Sequence, residues 1–579
     1  MKDAFKHIGW FFKQEWKKYS FCAFLLLIVS VLPVFPAKIL GLSIDEIANG
    51  TITKESLVVF LFLLLFIPLI TYVFNIFYHY IISYLGHDLS YRLREKYIDH
   101  LFDLDAKAYE NYTKGDLIAR ASNDLNSLTV LATTFLQQLI YYIAMIISSL
   151  VMMISINLIL TIASVTFMPI AIVILNKKRK EKRKYYKIHQ EIYSKMTENV
   201  LESIEGVKTV RAYGQEDEDY AKTKKAIDDD VDSWKIILAF EASFQPMFEM
   251  VYAISYTIAI SLGCYLVVNN NISPGELVSF LIYVGMLYGP LVGLSGVLNF
   301  VNSITIANTR VQEVMNIKPN VIDCNNPISI KKFNTIKFDN LCFKYNTEQV
   351  LNNVSFEIKS GETIGIVGGT GSGKTTLIKQ LLREYNYDVG DILIDNKSIK
   401  NYCISDIRNL IGYVPQKHIL FRRTVKENIL IGNENAIDEE VMLSVDGADF
   451  RKDLNNLPKG IETMVSELGG SLSGGQRQRL SIARALVKDP EILILDDSLS
   501  AVDAITEENI INNLKQMRNG KTNIIISHRF ASISKADRII VLNNGIVTDI
   551  GTQEELMSYD NWYKEQYLKQ LKGDRYEKD

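Results

Sequence analysis

Gly368-Gly369-Thr370-Gly371-Ser372-Gly373-Lys374-Thr375 follows the apolar run TIGIV (residues 363–367) and precedes LIKQLLREY, whose pattern is helical. A strand, a glycine-rich loop and a helix in that order form a phosphate cradle. Glycines let backbone N–H groups converge on phosphate oxygens, and the helix N-terminus adds partial positive charge. In such a loop Lys374 reaches the β- and γ-phosphates and Thr375 ligates Mg²⁺, with Thr376 a further nucleotide-binding candidate. Taken alone, the run specifies a nucleoside triphosphate and no particular reaction. This places an α/β nucleotide-binding domain in the C-terminal half.

Working outward, ILILDD (residues 492–497) is a buried-strand pattern ending in carboxylates, so Asp496 is placed to hold Mg²⁺. About a hundred residues beyond the loop stands Leu472-Ser473-Gly474-Gly475-Gln476. LSGGQ opening a helix resembles the signature of ABC ATPases. That resemblance implies that the signature binds the γ-phosphate of ATP held by an opposite domain, with two domains sandwiching two nucleotides. The remaining family positions stand in family order. Tyr345 in FKYN is implied to stack on adenine, and Gln416 in YVPQKHILF to contact Mg²⁺ and face the membrane domain. Ser500 and Asp503 in SAVD match the D-loop, and His528 in IIISHR matches the switch histidine at the γ-phosphate.

One residue departs from the pattern. After Asp496 the family usually carries glutamate, which polarises the attacking water; here Asp497 stands. One methylene less draws the carboxylate back by about 1.5 Å, and misplacement on the order of 1 Å can cost about a hundredfold in rate.

The N-terminal half is of another kind. The chain has 579 residues, 48% of them hydrophobic, and the apolar runs concentrate before residue 300. A membrane helix needs about 20 mostly apolar residues. Residues 21–40 and 57–77, a run from Leu136, 158–175, 248–268 and 277–300 give six expected spans. Lys2, Lys6, Lys13, Lys17 and Lys18, then Arg92, Arg94 and Lys96, then the run from Lys177 to Lys184 belong on the inner side. That puts both termini in the cytoplasm of a multi-pass protein in the cell membrane. Five further spans follow the first, so the basic N-terminus is no signal peptide. Trp10, Phe11, Phe12 and Trp16 make residues 5–16 an amphipathic helix lying on the inner surface. The net charge of −3 gives no sign of nucleic-acid binding, and the five scattered cysteines show no metal-site spacing.

Polar intervals between spans two and three, and between four and five, continue the helices far into the cytosol. The chain is expected to turn within residues 109–124 and 211–221. By resemblance to ABC exporters these intervals, around Gly115-Asp116 and Arg211-Ala212, hold two coupling helices that dock on nucleotide domains. The expected layout is a six-span α-helical exporter domain with an N-terminal elbow helix over residues 1–318, a linker over 319–334, and the nucleotide-binding domain over 335–579.

FFKQEW, GYVPQKHILFRRTVKENIL, SIARALVKDPEILILDDSLSAVD and NWYKEQY together resemble the shorter, BmrC-type subunit of bacterial heterodimeric multidrug exporters. The likeness implies a non-identical partner that keeps the glutamate, ATP and Mg²⁺ as cofactors, and amphipathic small-molecule substrates. Under it, this chain's own nucleotide site is degenerate and its intact signature caps the partner's competent one. Gln137, Gln138, Glu249, Tyr256 and Tyr288 are candidates for the substrate cavity, since an intramembrane carboxylate is a functional candidate by default. A lipid or peptide exporter, or a regulatory subunit gated by ATP, would carry the same motifs.

Overall fold

Apolar runs of about 20 residues that pass without a helix breaker into charged, helix-forming sequence yield helices that outlast the hydrocarbon layer. The computed structural model describes residues 1–576. It forms two units, Met1–Phe102 with Lys114–Asn316, and Asp103–Thr113 with Ile317–Asp579.

The first unit is all helix. α1 (Lys2–Gln14) buries Ala4, Ile8 and Phe11 along one stripe, the spacing of an amphipathic helix. On its other side the Lys96 ammonium sits 3.5 Å from the Trp10 ring centroid. The first apolar run is two helices, α2 (Trp16–Val31) and α3 (Val34–Ala48), because Pro33 supplies no N–H to continue the ladder. α4 (Lys54–Asp103) is a single helix of 50 residues. α5 (Ala106–Glu110) belongs to the second unit. The return helix passes through α6 (Lys114–Ala119) and α7 (Leu125–Val130), with single π-turns between, into α8 (Leu136–Ile156). α9 (Leu158–Val165), α10 (Phe167–Ala212), α11 (Glu216–Ala242), α12 (Phe244–Val268) and α13 (Pro274–Met315) complete the unit.

Among the described residues, five helical stretches are long and apolar enough to cross a membrane. They are Trp16–Ala48, Lys54–Asp103, Lys114–Ile156, Glu216–Val268 and Pro274–Leu294. The fourth run read from the sequence gives a shorter apolar helix, Leu158–Pro169, which leads into α10. Part of that run lies outside the described residues, since the side chains of residues 170–173 and 175 are not described.

The turns differ from the sequence reading in one place. The second falls where expected, between the ends of α10 and α11. The first begins earlier, at residues 104–105, where Asp105 caps α5 by accepting from the Ala108 N–H at 3.3 Å, and ends at residues 111–113, inside the expected interval. Gly115 and Asp116 therefore lie in the return helix, where Asp116 pairs with Arg120 at 2.8 Å and Arg310 at 2.6 Å. The basic run meets acceptors on the neighbouring helices, Lys178 on Ser243 at 3.1 Å and Lys182 on Glu241 at 2.5 Å.

α3 and α13 cross with their backbones touching. A Cβ on Gly275 would lie 1.9 Å from the Gly41 carbonyl oxygen, so no side chain fits. Asp45 caps the contact, accepting from the Gly275 N–H at 2.7 Å and the Ser273 hydroxyl at 2.5 Å.

Among the described residues the second unit holds ten strands. β1 (Thr335–Tyr345), β2 (Glu348–Lys359), β4 (Val389–Ile394) and β5 (Lys397–Ser398) form an antiparallel sheet in the order β2-β1-β4-β5. β3 (Thr363–Val367), β6 (Ile411–Val414), β7 (Ile492–Asp496), β8 (Thr522–Ile526), β9 (Arg538–Asn543) and β10 (Ile546–Gly551) form the other sheet. Its order is β10-β9-β3-β8-β7-β6, parallel except for β10 at the edge. All five residues of both β7 and β8 are buried, as central parallel strands covered on both faces must be. In such sheets ligands bind beyond the carboxyl ends of the strands, which here means the ends of β3, β7 and β8.

The segment recruited from the membrane half is tied into this unit by side chains. The Asp105 carboxylate accepts from the Asn320 N–H at 2.5 Å and the Val321 N–H at 3.2 Å, and the Tyr385 hydroxyl donates to Glu110 at 2.8 Å.

Candidate nucleotide-hydrolysis site

The chain leaves β3 into the glycine loop and enters α14 (Lys374–Leu381) directly. Gly373, the residue before that helix, has φ +98, which costs any other residue strain. A Cβ there would also lie 3.0 Å from the Val350 carbonyl oxygen. The loop lines a cavity of about 330 Å³. Thr370 to Thr376, Gln416, Asp496, Asp497 and His528 stand on its wall, together with Glu348, Val350 and Ile526. Residues more than 100 positions apart in sequence are thus brought to one place by the parallel register of β3, β8 and β7.

Lys374 is 7% exposed, and its ammonium donates to the carbonyls of Gly368 and Gly369, both at 2.9 Å, and to the Ser372 hydroxyl at 3.3 Å. Burial lowers its pKa, opposed by the nearby Asp496 and Asp497 carboxylates. Asp496 is buried to 1% exposure, and burial raises its pKa. Its two oxygens accept from the Thr375 hydroxyl at 3.1 Å and the Tyr413 hydroxyl at 3.2 Å. Burial likewise pushes the Tyr413 phenol up, keeping it a neutral donor.

Asp497 follows on a left-handed turn with φ +46, a conformation in which aspartate is enriched over longer side chains. Its N–H donates to the Ile526 carbonyl at 2.9 Å, and its carboxylate accepts from the Gln416 amide at 3.3 Å. Gln416 and Asp497 therefore meet on the cavity wall.

The residues present fit a hard cation held partly by phosphate. A hydroxyl and a carboxylate converge at Thr375 and Asp496, with the Gln416 amide on the same wall. No group of three or more His, Cys, Asp or Glu side chains among the described residues could hold a metal by itself. Mg²⁺ characteristically uses one or two carboxylates together with phosphate oxygens, which matches this donor set.

Gly368 and Gly369 open the loop without lining the cavity, and three other sequence-predicted groups stand elsewhere. Tyr345 is off the cavity wall, its ring edge-on to Phe343 at 4.8 Å and Tyr385 at 5.3 Å between centroids. The signature does not line the cavity of its own chain. Ser473 instead caps the Gly474–Leu486 helix in a capping box, accepting from the Gln476 N–H at 3.2 Å while Gln476 accepts from the Ser473 N–H at 2.9 Å. Ser500 and Asp503 belong to a loop lying against that helix, where a Cβ on Gly475 would come 3.3 Å from the Ala501 carbonyl oxygen. Sequence reading missed Glu348, Val350 and Tyr413, whose places follow from strand register and carry no motif.

In the membrane unit, Tyr256 of α12 and Tyr288 of α13 meet through Tyr252, at 5.6 Å and 5.4 Å between centroids. Gln137 and Gln138 are half-buried near the start of α8, and Glu249 is exposed early in α12.

Comparison with known proteins accords with this arrangement. Residues 19–291 match the ABC transporter transmembrane region and residues 351–500 match the ABC transporter ATP-binding model. The chain is 37% identical over 98% of both chains to a probable multidrug resistance ABC transporter ATP-binding/permease protein, YheI, of Bacillus subtilis. It is 30% identical to the multidrug resistance-like ATP-binding protein MdlA of Escherichia coli, over 97% of this chain and 96% of that one. A bacterial Atm1-family ABC exporter structure with ATP bound superposes with a TM-score of 0.82 at 24% identity, covering 96% of this chain and 99% of the other. The chain belongs to the ABC transporter family, as an exporter that carries its membrane and ATP-binding domains on one polypeptide and couples ATP hydrolysis to transport.

Proposed function

We propose that the chain is one subunit of a heterodimeric multidrug-type exporter and that its own ATP site turns over slowly. The observation that carries this is Asp497, a shortened carboxylate on a left-handed turn whose oxygen is taken by Gln416. Lys374 and the loop N–H groups bind the phosphates, and Thr375, Asp496 and Gln416 hold Mg²⁺, which when bound neutralises phosphate charge. His528 contacts the γ-phosphate. The signature, from Leu472 to Gln476, and the loop carrying Ser500 and Asp503 act on the nucleotide of a second, non-identical half-transporter that keeps the glutamate. The separation of the signature from this chain's cavity supports that division, as does the BmrC-type resemblance.

The multidrug relatives support amphipathic small molecules as cargo. The aromatic cluster of Tyr256 and Tyr288 offers such molecules stacking faces, and Gln137 and Gln138 of α8 offer hydrogen bonds. Glu249 offers cations a carboxylate. Asp103–Thr113, held to the second unit through Asp105 and Glu110, serves as one coupling segment, with the nucleotide domain on the cytoplasmic side.

The test is to extract the tagged chain gently from its native membrane and weigh the complex. A one-to-one assembly with a different half-transporter supports the reading, and a pure homodimer overturns it. Within that assembly Asp497→Glu is expected to leave ATP turnover unchanged or raise it. The lengthened carboxylate can recover part of the roughly hundredfold penalty of misplacement. An Asp497→Asn complex without turnover, beside a fully active signature variant, would reverse the allocation of the two sites.

A further inference from the structure

The amino ends of β3 and β8 frame a second cavity of about 220 Å³, at the opposite end of these strands from the nucleotide loop. The five residues of β3, at about 3.3 Å each, separate the two. Three stretches of sequence supply the walls: the turn at Gly361, the helix Ala504–Met517 with the turn after it, and residues 532–537. Gly361 and Gly520 make these turns with φ +82 and +80, and a Cβ on Gly520 would meet nothing within 4 Å. The space beside that turn is open.

The lining divides by chemistry. Leu514 and Ile525, both buried, form an apolar floor with Ile511 and Ala536. Around it stand Lys515, Lys521 and Lys535, against a single carboxylate, Asp537. Arg518 is part of the wall, but its guanidinium is spent on the Asn523 side chain at 2.8 Å and on the carbonyls of Pro490 and Thr522 at 2.9 Å and 3.1 Å. The Asp537 carboxylate is also engaged, accepting from the Thr363 N–H at 2.8 Å. Two of the lysines are less committed. Lys535 reaches Glu508 at 3.4 Å and Asn512 at 3.2 Å, and an exposed ion pair of that kind contributes only about 0–1 kcal/mol, so its ammonium is easily redirected. Lys515 is exposed and, among the described residues, meets no carboxylate. Apolar walls with a few convergent charged groups are what fixes a small ligand by one end.

We propose that this cavity binds a small organic anion, an apolar ring or short chain ending in a carboxylate or phosphate. Lys515 and Lys535 take the anionic head, and Ile511, Leu514 and Ala536 pack against the body. At about 30 Å³ for each water-sized group the volume holds about seven, enough for one ring with its head at the mouth. Residues 532–537 continue the chain from His528, so a bound anion ties the segment behind the histidine to the helix Ala504–Met517. A metabolite thereby gains a hold on the ATPase without competing for the nucleotide loop, whichever of two nucleotide sites is the faster.

The test uses the purified full-length transporter complex with Mg-ADP at saturation, so that the nucleotide sites are filled. Equilibrium dialysis then measures binding of radiolabelled benzoate, phenyl phosphate, benzyl alcohol and inorganic phosphate. Benzoate, phenyl phosphate or both are expected to bind saturably. Their affinity is expected to exceed by at least tenfold that of benzyl alcohol, which lacks the charge, and of inorganic phosphate, which lacks the ring. The tighter of the two anions identifies the head group. Joint replacement of the lysines, Lys515→Glu with Lys535→Glu, is expected to weaken that binding at least tenfold and leave ADP affinity as in the wild type. Both side chains are exposed, and Lys515→Gln alone, with about a threefold loss, is a milder version that keeps the fold out of question. Absence of saturable binding by either anion would overturn the proposal, as would binding that the double variant leaves unchanged. Equal affinity for benzyl alcohol or inorganic phosphate would overturn it too.

Discussion

Gly475→Glu is expected to lower ATP turnover of the assembled transporter by roughly two to three orders of magnitude, the range seen when a preorganised anion-stabilising group is lost. Position 475 lies in the first turn of the Gly474–Leu486 helix, where free N–H groups and the helix dipole favour an anion. A glutamate brings its own carboxylate to that end and repels phosphate. It is also crowded, since its Cβ would lie 3.3 Å from the Ala501 carbonyl oxygen and 3.6 Å from Val502 Cγ1, so the loop that Arg529 holds must give by a few tenths of an ångström. Ser473→Ala acts on the same helix end by removing its capping hydroxyl, at about 1 kcal/mol of local stability, and is expected to reduce turnover strongly as well. Steady-state phosphate release from purified complex, with nucleotide binding measured in parallel, checks both. Wild-type turnover in Gly475→Glu would exclude the signature from the hydrolysing site.

Gly275→Leu is expected to prevent recovery of a stable complex. The Cβ would stand 1.9 Å from the Gly41 carbonyl oxygen and 2.7 Å from the Asp45 carboxyl carbon, both on or beside a rigid helix backbone. α13 must then move off α3. Separation breaks the two bonds to Asp45 and a third from Ser279 to the Ala37 carbonyl at 2.9 Å. Overpacking costs about 1–3 kcal/mol and each hydrogen bond about 1, so a loss of roughly 4–6 kcal/mol follows, a large fraction of a domain's stability. The measurement is the yield of monodisperse protein after detergent extraction, with its melting temperature. A Gly275→Leu protein that melts with the wild type would show that the α3–α13 crossing is not needed.

Much of the fold is legible in the sequence because it rests on local signals. The glycine loop between a buried strand and a helix, the apolar strand ending at Asp496 and the capping box at Ser473 each specify their own conformation within a few residues. The long helices are legible too, since nothing breaks the run from Lys54 to Asp103 except Pro68, which the helix absorbs. What escaped depends on partners distant in sequence. Glu348 and Val350 reach the cavity, and Tyr413 reaches Asp496, through sheet register alone, and Asp105 acquires its meaning only when Asn320 and Val321 fold beside it. The start of the first turn is hard to read because its cap, Asp105, is a single residue in a stretch of uniform helix-forming composition. Tyr345 shows the converse: a motif position reads clearly, yet its ring packs with Phe343 and Tyr385.

The unbroken α4 has a mechanical consequence. Fifty residues at 1.5 Å each make a rod about 75 Å long, of which hydrocarbon accounts for only about 30 Å. The remaining length acts as a lever arm whose fulcrum lies in the bilayer. A tilt of about 10° there, hardly more than side chains can absorb by changing rotamer, sweeps the far end through about 8 Å. Small lateral forces among the lipid-embedded segments are thereby converted into displacements on the scale of a nucleotide, and the same arm run in reverse lets modest work at its tip wedge the membrane end apart.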